Sequence, residues 1–181
     1  MTMTPPDLMA TLTSRIAEVI SARLPKLRTC KGVAGRLDLE QVKNKFGISA
    51  PGVMVTRLSA AQAETFAGPV HSFDLSMAAF VVTVDTPGLL RDPGNAVIVQ
   101  ELLRLIPGNT WGLPDFIGGA RNVAENILVT EATEKAGVGL TAVTWTQTIG
   151  LTDWPDAPLV PIDLYVAIAP DTNHVRLEVK P

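Results

Sequence analysis

The chain has 181 residues, of which 46% are hydrophobic and only 18% charged, and its formal net charge is −3. A sequence this apolar is not typical of a disordered protein, and its acidic balance disfavours a general nucleic-acid binder. The length predicts one domain with a sizeable core. Because soluble domains are about 25% charged, the low charge indicates either a large core or a surface covered by partners.

The cysteine content and the N-terminal residues indicate the cellular compartment in which the protein is kept. Cys30 is the only cysteine, so no intrachain disulfide can form. Residues 1–7 lack the basic and apolar regions of a signal peptide. The longest uncharged run, 136–152, contains five threonines and is a better strand than membrane span. We therefore expect a protein kept in a reducing cytoplasm, without a membrane segment.

An amphipathic helix is predicted near the N-terminus. Thr4 is a candidate N-cap, with Pro5 at the first helical position. Pro25 should end the helix. Apolar residues follow at helical spacing and predict one buried face: Leu8, Leu12, Ile16, Val19, Ile20 and Leu24.

Strands dominate the following stretch. We predict a short strand at 26–31, a short helix or structured loop at 38–46, and a buried strand at 52–58, followed by a loop at 59–69. The longest strand should cover 70–84. Its first half alternates between apolar and polar residues, and its second half is apolar on both faces. This pattern predicts cover on one side at its start and on both sides at its end.

A second helix should begin at Asp92, as N-cap, with Pro93 at the first helical position, and should end at 107–108. A loop rich in glycine and proline follows at 109–119. Two strands, 126–134 and 138–151, are predicted to form a hairpin. On the second of these strands one face is apolar and the other carries three threonines; the apolar set is Val143, Trp145, Ile149 and Leu151.

Three prolines in the stretch 153–161 mark a boundary. Beyond it, two alternating segments predict a second hairpin with one apolar face. We therefore divide the chain into a domain at 1–153 and an extension at 154–181, which contains a proline-rich linker and the hairpin. An isolated hairpin is marginal in water, so its apolar face should cover either this subunit's sheet or a neighbour's.

Chemistry-bearing residues are sparse. Cys30 and His71 could form a nucleophile–base pair, but a small buried thiol is the commoner state of a lone cysteine. The only other histidine, His174, falls on the polar face of the last hairpin. Neither a zinc-ligand spacing nor a phosphate-binding glycine motif is present. We therefore predict no catalytic, cofactor-binding or metal-binding residue.

Charge is distributed unevenly along the chain. Residues 1–45 contain eight basic and four acidic side chains, whereas residues 46–181 contain seven basic and fourteen acidic ones. Two surfaces of opposite sign can orient a protein between two partners, although such an asymmetry can also scatter in space. Basic residues of the first part and exposed-looking loop residues are the candidate partner contacts: Arg23, Lys26, Arg28, Lys31, Arg36, Lys43, Lys45, Glu64, Trp111, Phe116 and Trp154.

The order of these parts resembles a known family. A helix (PDLMATLTSRIAEVISARL) is followed by a buried strand (PGVMVTRL), a long strand (HSFDLSMAAFVVTVD), a second helix (NAVIVQELLRLIPG) and a strand ending in TAVTWTQTIGL. Over residues 8–153 this resembles the tail terminator, or tail completion, proteins of long-tailed bacteriophages, in particular the Mu-like group. A small signature at 145–147 (WTQ) adds to the resemblance.

The resemblance implies an α+β fold, with a mostly antiparallel sheet packed against two main helices. It also implies a non-enzymatic virion protein that forms a ring, commonly a hexamer, at the tail–neck junction after assembly in the host cytoplasm. Such a ring caps the tail tube, stops its polymerisation and meets the head connector, without direct nucleic-acid recognition. The alternatives are another head–tail joining component, or a small enzyme or ligand-binding domain.

Overall fold

The computed structural model describes residues 7–33, 49–63, 70–88, 90–114, 117–128, 137–152, 164–166 and 175–177. Within these residues lie two helices and seven strands. In chain order they are α1 (Leu8–Arg23), β1 (Thr29–Val33), β2 (Gly52–Gln62), β3 (Val70–Val84), α2 (Arg91–Leu105), β4 (Arg121–Ile127), β5 (Val138–Thr152), β6 (Leu164–Val166) and β7 (Val175–Leu177).

Five strands form one sheet in the order β1-β2-β3-β5-β4. β1 runs parallel to β2, and the other neighbouring pairs are antiparallel. β3 and β5 pair over their whole length, from Val70 opposite Thr152 to Val84 opposite Val138. Helices packed on a largely antiparallel sheet make this an α+β fold, which confirms the predicted class. β6 and β7 pair with each other in a separate two-stranded sheet.

The two helices cover one face of the large sheet, which we call the near face. Its core contains fully buried side chains from α1, α2 and the three central strands. Burying an aliphatic side chain of this size stabilises a fold by about 1.5–3 kcal/mol, so the near face supplies most of the hydrophobic stabilisation of the described chain. Representative members are Leu12, Ile16, Ile20, Leu75, Met77, Leu102 and Ile149.

The opposite face of the sheet, which we call the far face, changes character along its length. Near the Val84 end of β3 it is apolar, and Met54, Val82 and Leu140 form a second buried cluster there. Toward the Val70 end it is polar, and Ser76 is exposed. The predicted change from one-sided to two-sided cover along β3 is thus confirmed.

Helix α1 has the predicted buried stripe but a different beginning. It starts at Leu8, with Asp7 in the cap position and no side-chain cap hydrogen bond; the predicted cap, Thr4, lies outside the described residues. The first turn is instead supported by the Thr11 hydroxyl, which donates to the Asp7 carbonyl at 3.0 Å. The helix ends at Arg23, just before Pro25, as predicted.

The prediction of Asp92 as the N-cap of the second helix was wrong. The cap position belongs to Leu90, and Asp92 lies in the first turn, where a carboxylate still interacts favourably with the helix dipole. A side-chain acceptor comes from outside the helix, because Asp85 Oδ1 accepts a hydrogen bond from the Arg91 backbone N–H at 2.8 Å. Asp85 lies six residues before Arg91, outside the positions at which a capping residue is expected, so this contact was not predicted.

Strand boundaries differ from prediction in three other places. The short strand predicted at 26–31 is shifted, because β1 occupies Thr29–Val33. β2 continues to Gln62, so the first four residues of the predicted 59–69 loop are strand. The strand expected at 126–134 is displaced, because β4 occupies Arg121–Ile127. Most of β4 is exposed and lacks the apolar alternation that signals a strand. The short helix or loop predicted at 38–46 lies outside the described residues.

Candidate interaction surfaces

The basic residues predicted as partner contacts separate into two groups. Arg23, Lys26 and Arg28 are exposed where α1 ends and the chain turns toward β1. Lys31 is half-buried on β1 and already interacts with another group of the protein. Six other predicted contacts lie outside the described residues: Arg36, Lys43, Lys45, Glu64, Phe116 and Trp154.

Trp111 was predicted as a partner contact, but the structure places it in the core of the protomer. Its side chain is 3% exposed, and its ring lies 6.1 Å from that of Trp145, at an interplanar angle of 47°. Ile117, from the same predicted loop, is 1% exposed. Trp111 and Ile117 therefore pack inward and belong to the near-face core.

A buried amide organises that packing. Gln147 Oε1 accepts hydrogen bonds from both indole N–H groups, at 2.7 Å from Trp111 Nε1 and 3.1 Å from Trp145 Nε1. Gln147 Nε2 donates to the carbonyl oxygens of Asn109, at 3.3 Å, and of Gly118. Two acceptor sites and two N–H donors are thus used on a side chain that is 0% exposed. Gln147 therefore holds Asn109, Trp111 and Gly118 against the sheet.

Gln147 was part of the sequence signature at 145–147, but its role was not predicted. The strand alternation could have indicated it, since residues 143, 145, 147 and 149 share a face. An amide between apolar neighbours on a buried face requires partners. Apart from Trp145, two residues away on β5, those partners lie 29–38 residues away in sequence, and single-strand patterning does not identify them.

The far face carries a ladder of polar side chains across three strands. Arg121 of β4 forms an ion pair with Asp74 of β3 and also donates to Thr148 Oγ1 of β5 at 2.6 Å. Thr148 in turn donates to Asp74 Oδ1 at 2.7 Å. Further along, Asn126 Nδ2 donates to Thr144 Oγ1 at 3.2 Å. We call this set the polar ladder; it is exposed or half-buried throughout.

An apolar groove opens between the end of α1 and the beginning of α2. Its volume is about 370 Å³. Two large apolar side chains border it while remaining exposed, Leu90 at 67% and Val97 at 63%. Backbone and side chains from the end of β3 complete its wall, among them Thr83 and Val84. This groove, which we call the helix groove, lies at the Val84 end of the sheet.

The charged side chains that border the helix groove are both basic, Arg23 and Lys26. Arg23 is balanced in part by Glu101, whose carboxylate lies 3.6 Å from its guanidinium and also pairs with Arg104 at 2.8 Å. Within the described residues, Lys26 has no ion-pair partner. The helix groove therefore combines exposed apolar surface with an unbalanced positive charge, which fits an apolar partner segment that carries carboxylates.

Cys30 and His71 do not form a nucleophile–base pair. Cys30 is level with Val53 and, across β2, with Val81 of β3. His71 is ten residues from Val81 along β3, which corresponds to roughly 33 Å at the rise of a strand. This pair therefore gives no support to the alternative that the protein is an enzyme.

The environment of Cys30 also opposes nucleophilic reactivity. Desolvation by burial raises the pKa of the thiol from 9.0 to about 11, against a smaller opposing effect of a backbone hydrogen bond from Ser21. Its Sγ donates to the Ala17 carbonyl of α1 at 3.1 Å. A reactive cysteine has a lowered pKa, so Cys30 has the properties of a structural thiol.

The described residues contain no group of three or more metal-ligating side chains. Neither described helix is long and apolar enough to cross a membrane. Comparison of the sequence with models of known families and with curated proteins found no match.

Proposed function

We propose that this protein is a structural assembly protein of a long-tailed bacteriophage. In this proposal it forms a homo-oligomeric ring that caps the tail tube, stops tube polymerisation and joins the tail to the neck. The proposal rests on the resemblance described above. The observed order of α1, β2, β3, α2 and β5 in one α+β unit is consistent with it.

The observation that carries an assembly role is the helix groove. Contiguous exposed apolar surface often marks an interaction site, and Leu90 and Val97, which border the same groove, are both more than half exposed. Arg23 and Lys26 give the same surface a positive border. A ring protein needs at least one such surface for its neighbour, and further surfaces for the tube and the connector.

The ring is tested first on the purified protein alone. Native mass spectrometry and negative-stain microscopy should reveal a closed oligomer, or a ring that forms once tail tube protein is added. Assembly of tube protein in the presence of the chain should then yield shorter tubes with one end capped. A strictly monomeric protein that neither binds tube protein nor limits tube length would refute the proposal.

A further inference from the structure

The helix groove and the end of β5 lie at opposite ends of the same sheet. The helix groove is bordered by Thr83 and Val84, whereas Thr152, the last residue of β5, pairs with Val70. Fourteen residue steps along β3 separate Val70 from Val84, which is roughly 46 Å at the rise of a strand. A segment that follows Thr152 therefore starts far from the helix groove of its own subunit.

The segment that follows is chemically complementary to the helix groove. Residues 153–161 read DWPDAPLVP. They carry two carboxylates, at Asp153 and Asp156, and no basic side chain. The other side chains are apolar and include an indole, at Trp154, of the kind that dominates binding energy at protein interfaces. The helix groove has the size of sites that enclose drug-sized ligands, so it can accommodate an aromatic side chain with its neighbours.

The extended length of residues 153–161 decides whether they can reach the helix groove of their own subunit. Asp156 is four residues beyond Thr152, so even a fully extended chain carries it only about 14 Å. The whole of 153–161 spans at most about 32 Å. Both lengths are shorter than the distance along β3 to the helix groove of the same subunit. An occupant from this segment therefore comes from a second copy.

We propose that the helix groove binds residues 153–161 of a neighbouring copy of this chain. The carboxylates of Asp153 and Asp156 then lie beside Arg23 and Lys26, and the apolar side chains pack against Leu90 and Val97. This inference rests on the proposed ring and identifies one of its contacts. Donor and acceptor are different surfaces at opposite ends of one subunit, so the contact is heterologous and can repeat from copy to copy until a ring closes.

Cross-linking between differently tagged subunits tests the contact directly. One population carries Val97→Cys and the other Ala157→Cys, both with Cys30→Ala, so that only contacts between copies give a mixed disulfide. Mild oxidation of the mixture should give the mixed product as the main cross-linked species. The matched control replaces Val97→Cys by Ala10→Cys, an exposed position on α1 outside the helix groove, and should give at least about tenfold less product if the groove is the binding site.

A charge exchange provides an independent test. Lys26→Glu should weaken self-association about tenfold, because it places a carboxylate against Asp156. Combining it with Asp156→Lys in the same chain should restore association, since every contact then has opposite charges again. Arg15→Glu, which reverses an exposed charge outside the groove lining, should have a much smaller effect.

The two proposals fail in different ways. An oligomer that persists in native mass spectrometry without the mixed disulfide overturns the groove contact and leaves the ring proposal standing. Cross-linking within a single subunit that carries both cysteines, without a mixed product, also overturns it and assigns the segment to its own subunit. A purified chain that gives neither a mixed product nor an oligomer, and does not bind tube protein, refutes both.

Discussion

Gln147 and Thr148 are neighbours on β5, but their side chains lie on opposite faces of the sheet and meet different surroundings. Gln147 is 0% exposed on the near face and holds two indoles and two backbone carbonyls. Thr148 belongs to the polar ladder of the far face and joins Asp74 to Arg121, both partly exposed to solvent. Each forms a hydrogen-bonded network of similar size.

Because only the Gln147 network is buried, we expect it to contribute more to the free energy of unfolding than the Thr148 network. When a buried hydrogen bond is removed, its partners lose the bond and remain shielded from water, at a cost of about 1–3 kcal/mol for each group. In an exposed network water replaces the lost partner, and surface ion pairs contribute about 0–1 kcal/mol. The near face should therefore be sensitive to single substitutions that the far face tolerates.

The largest expected effect is at Gln147. Gln147→Ala leaves two indole N–H groups and two carbonyl oxygens without this partner and creates a cavity beside Trp111. We expect the free energy of unfolding to fall by about 4 kcal/mol, measured by urea denaturation. Thr148→Ala, on the next residue, is the matched control and should cost less than about 1 kcal/mol. Equal losses for the two variants would contradict the distinction between the faces.

A substitution at Gly32 tests the tolerance of the near face where β1 packs against α1. A Cβ at this position would lie 2.5 Å from the Ser14 backbone nitrogen and 2.5 Å from the Thr13 carbonyl carbon. Gly32→Ala must therefore push α1 away from β1, and we expect a loss of about 2 kcal/mol. Gly118→Ala is the control, because its closest new contact would be 3.5 Å, to the Thr148 side chain. A loss at Gly118 as large as that at Gly32 would contradict this explanation.

Cys30, on the near face, should make the free energy of unfolding depend on pH. The folded thiol stays protonated up to about pH 11, whereas the thiol of an unfolded chain ionises near 9.0. Between these values the folded state binds more protons, so the contribution of Cys30 makes the free energy of unfolding fall as pH rises. Cys30→Ala should reduce this fall when urea denaturation is compared at about pH 8 and about pH 10. An unchanged difference between the two pH values would contradict the assignment.

The smallest effect is expected on the far face. Arg121→Ala removes the ion pair with Asp74 and the bond to Thr148, and should lower the free energy of unfolding by less than about 1 kcal/mol. The loss should shrink further in high salt, because exposed charges are screened. Thermal denaturation at low and high ionic strength measures both. A large, salt-independent loss would mean that the polar ladder behaves as a buried network.

The sequence predicted those features that depend on local periodicity. The buried stripe of α1, the full length of β3 and the opposite faces of β5 all follow from the spacing of apolar residues. The displaced β4 and the role of Asp85 were not predictable in this way. β4 is defined by its pairing with β5 and by Arg121, and Asp85 caps a helix that begins six residues later.

The candidate site was predicted only in part. The concentration of basic residues near the end of α1 drew attention to Arg23 and Lys26, which the structure places at the border of the helix groove. The apolar half of the groove was not predicted, because Leu90 and Val97 border it only once α2 lies beside the end of α1. Trp111 was misjudged because its partner, Gln147, belongs to a distant strand.

The irregular edge strand bears on how this protein avoids aggregation. Within the described residues β4 pairs on one side only, with β5, and its register shifts between Arg121 and Ala124. Asn122, inside that shift, has a left-handed backbone with φ 54°, which asparagine adopts more readily than most residues. A kinked and charged edge is a poor template for another strand. Copies can therefore gather at high local concentration through side-chain surfaces while runaway growth of a shared sheet into fibres is suppressed.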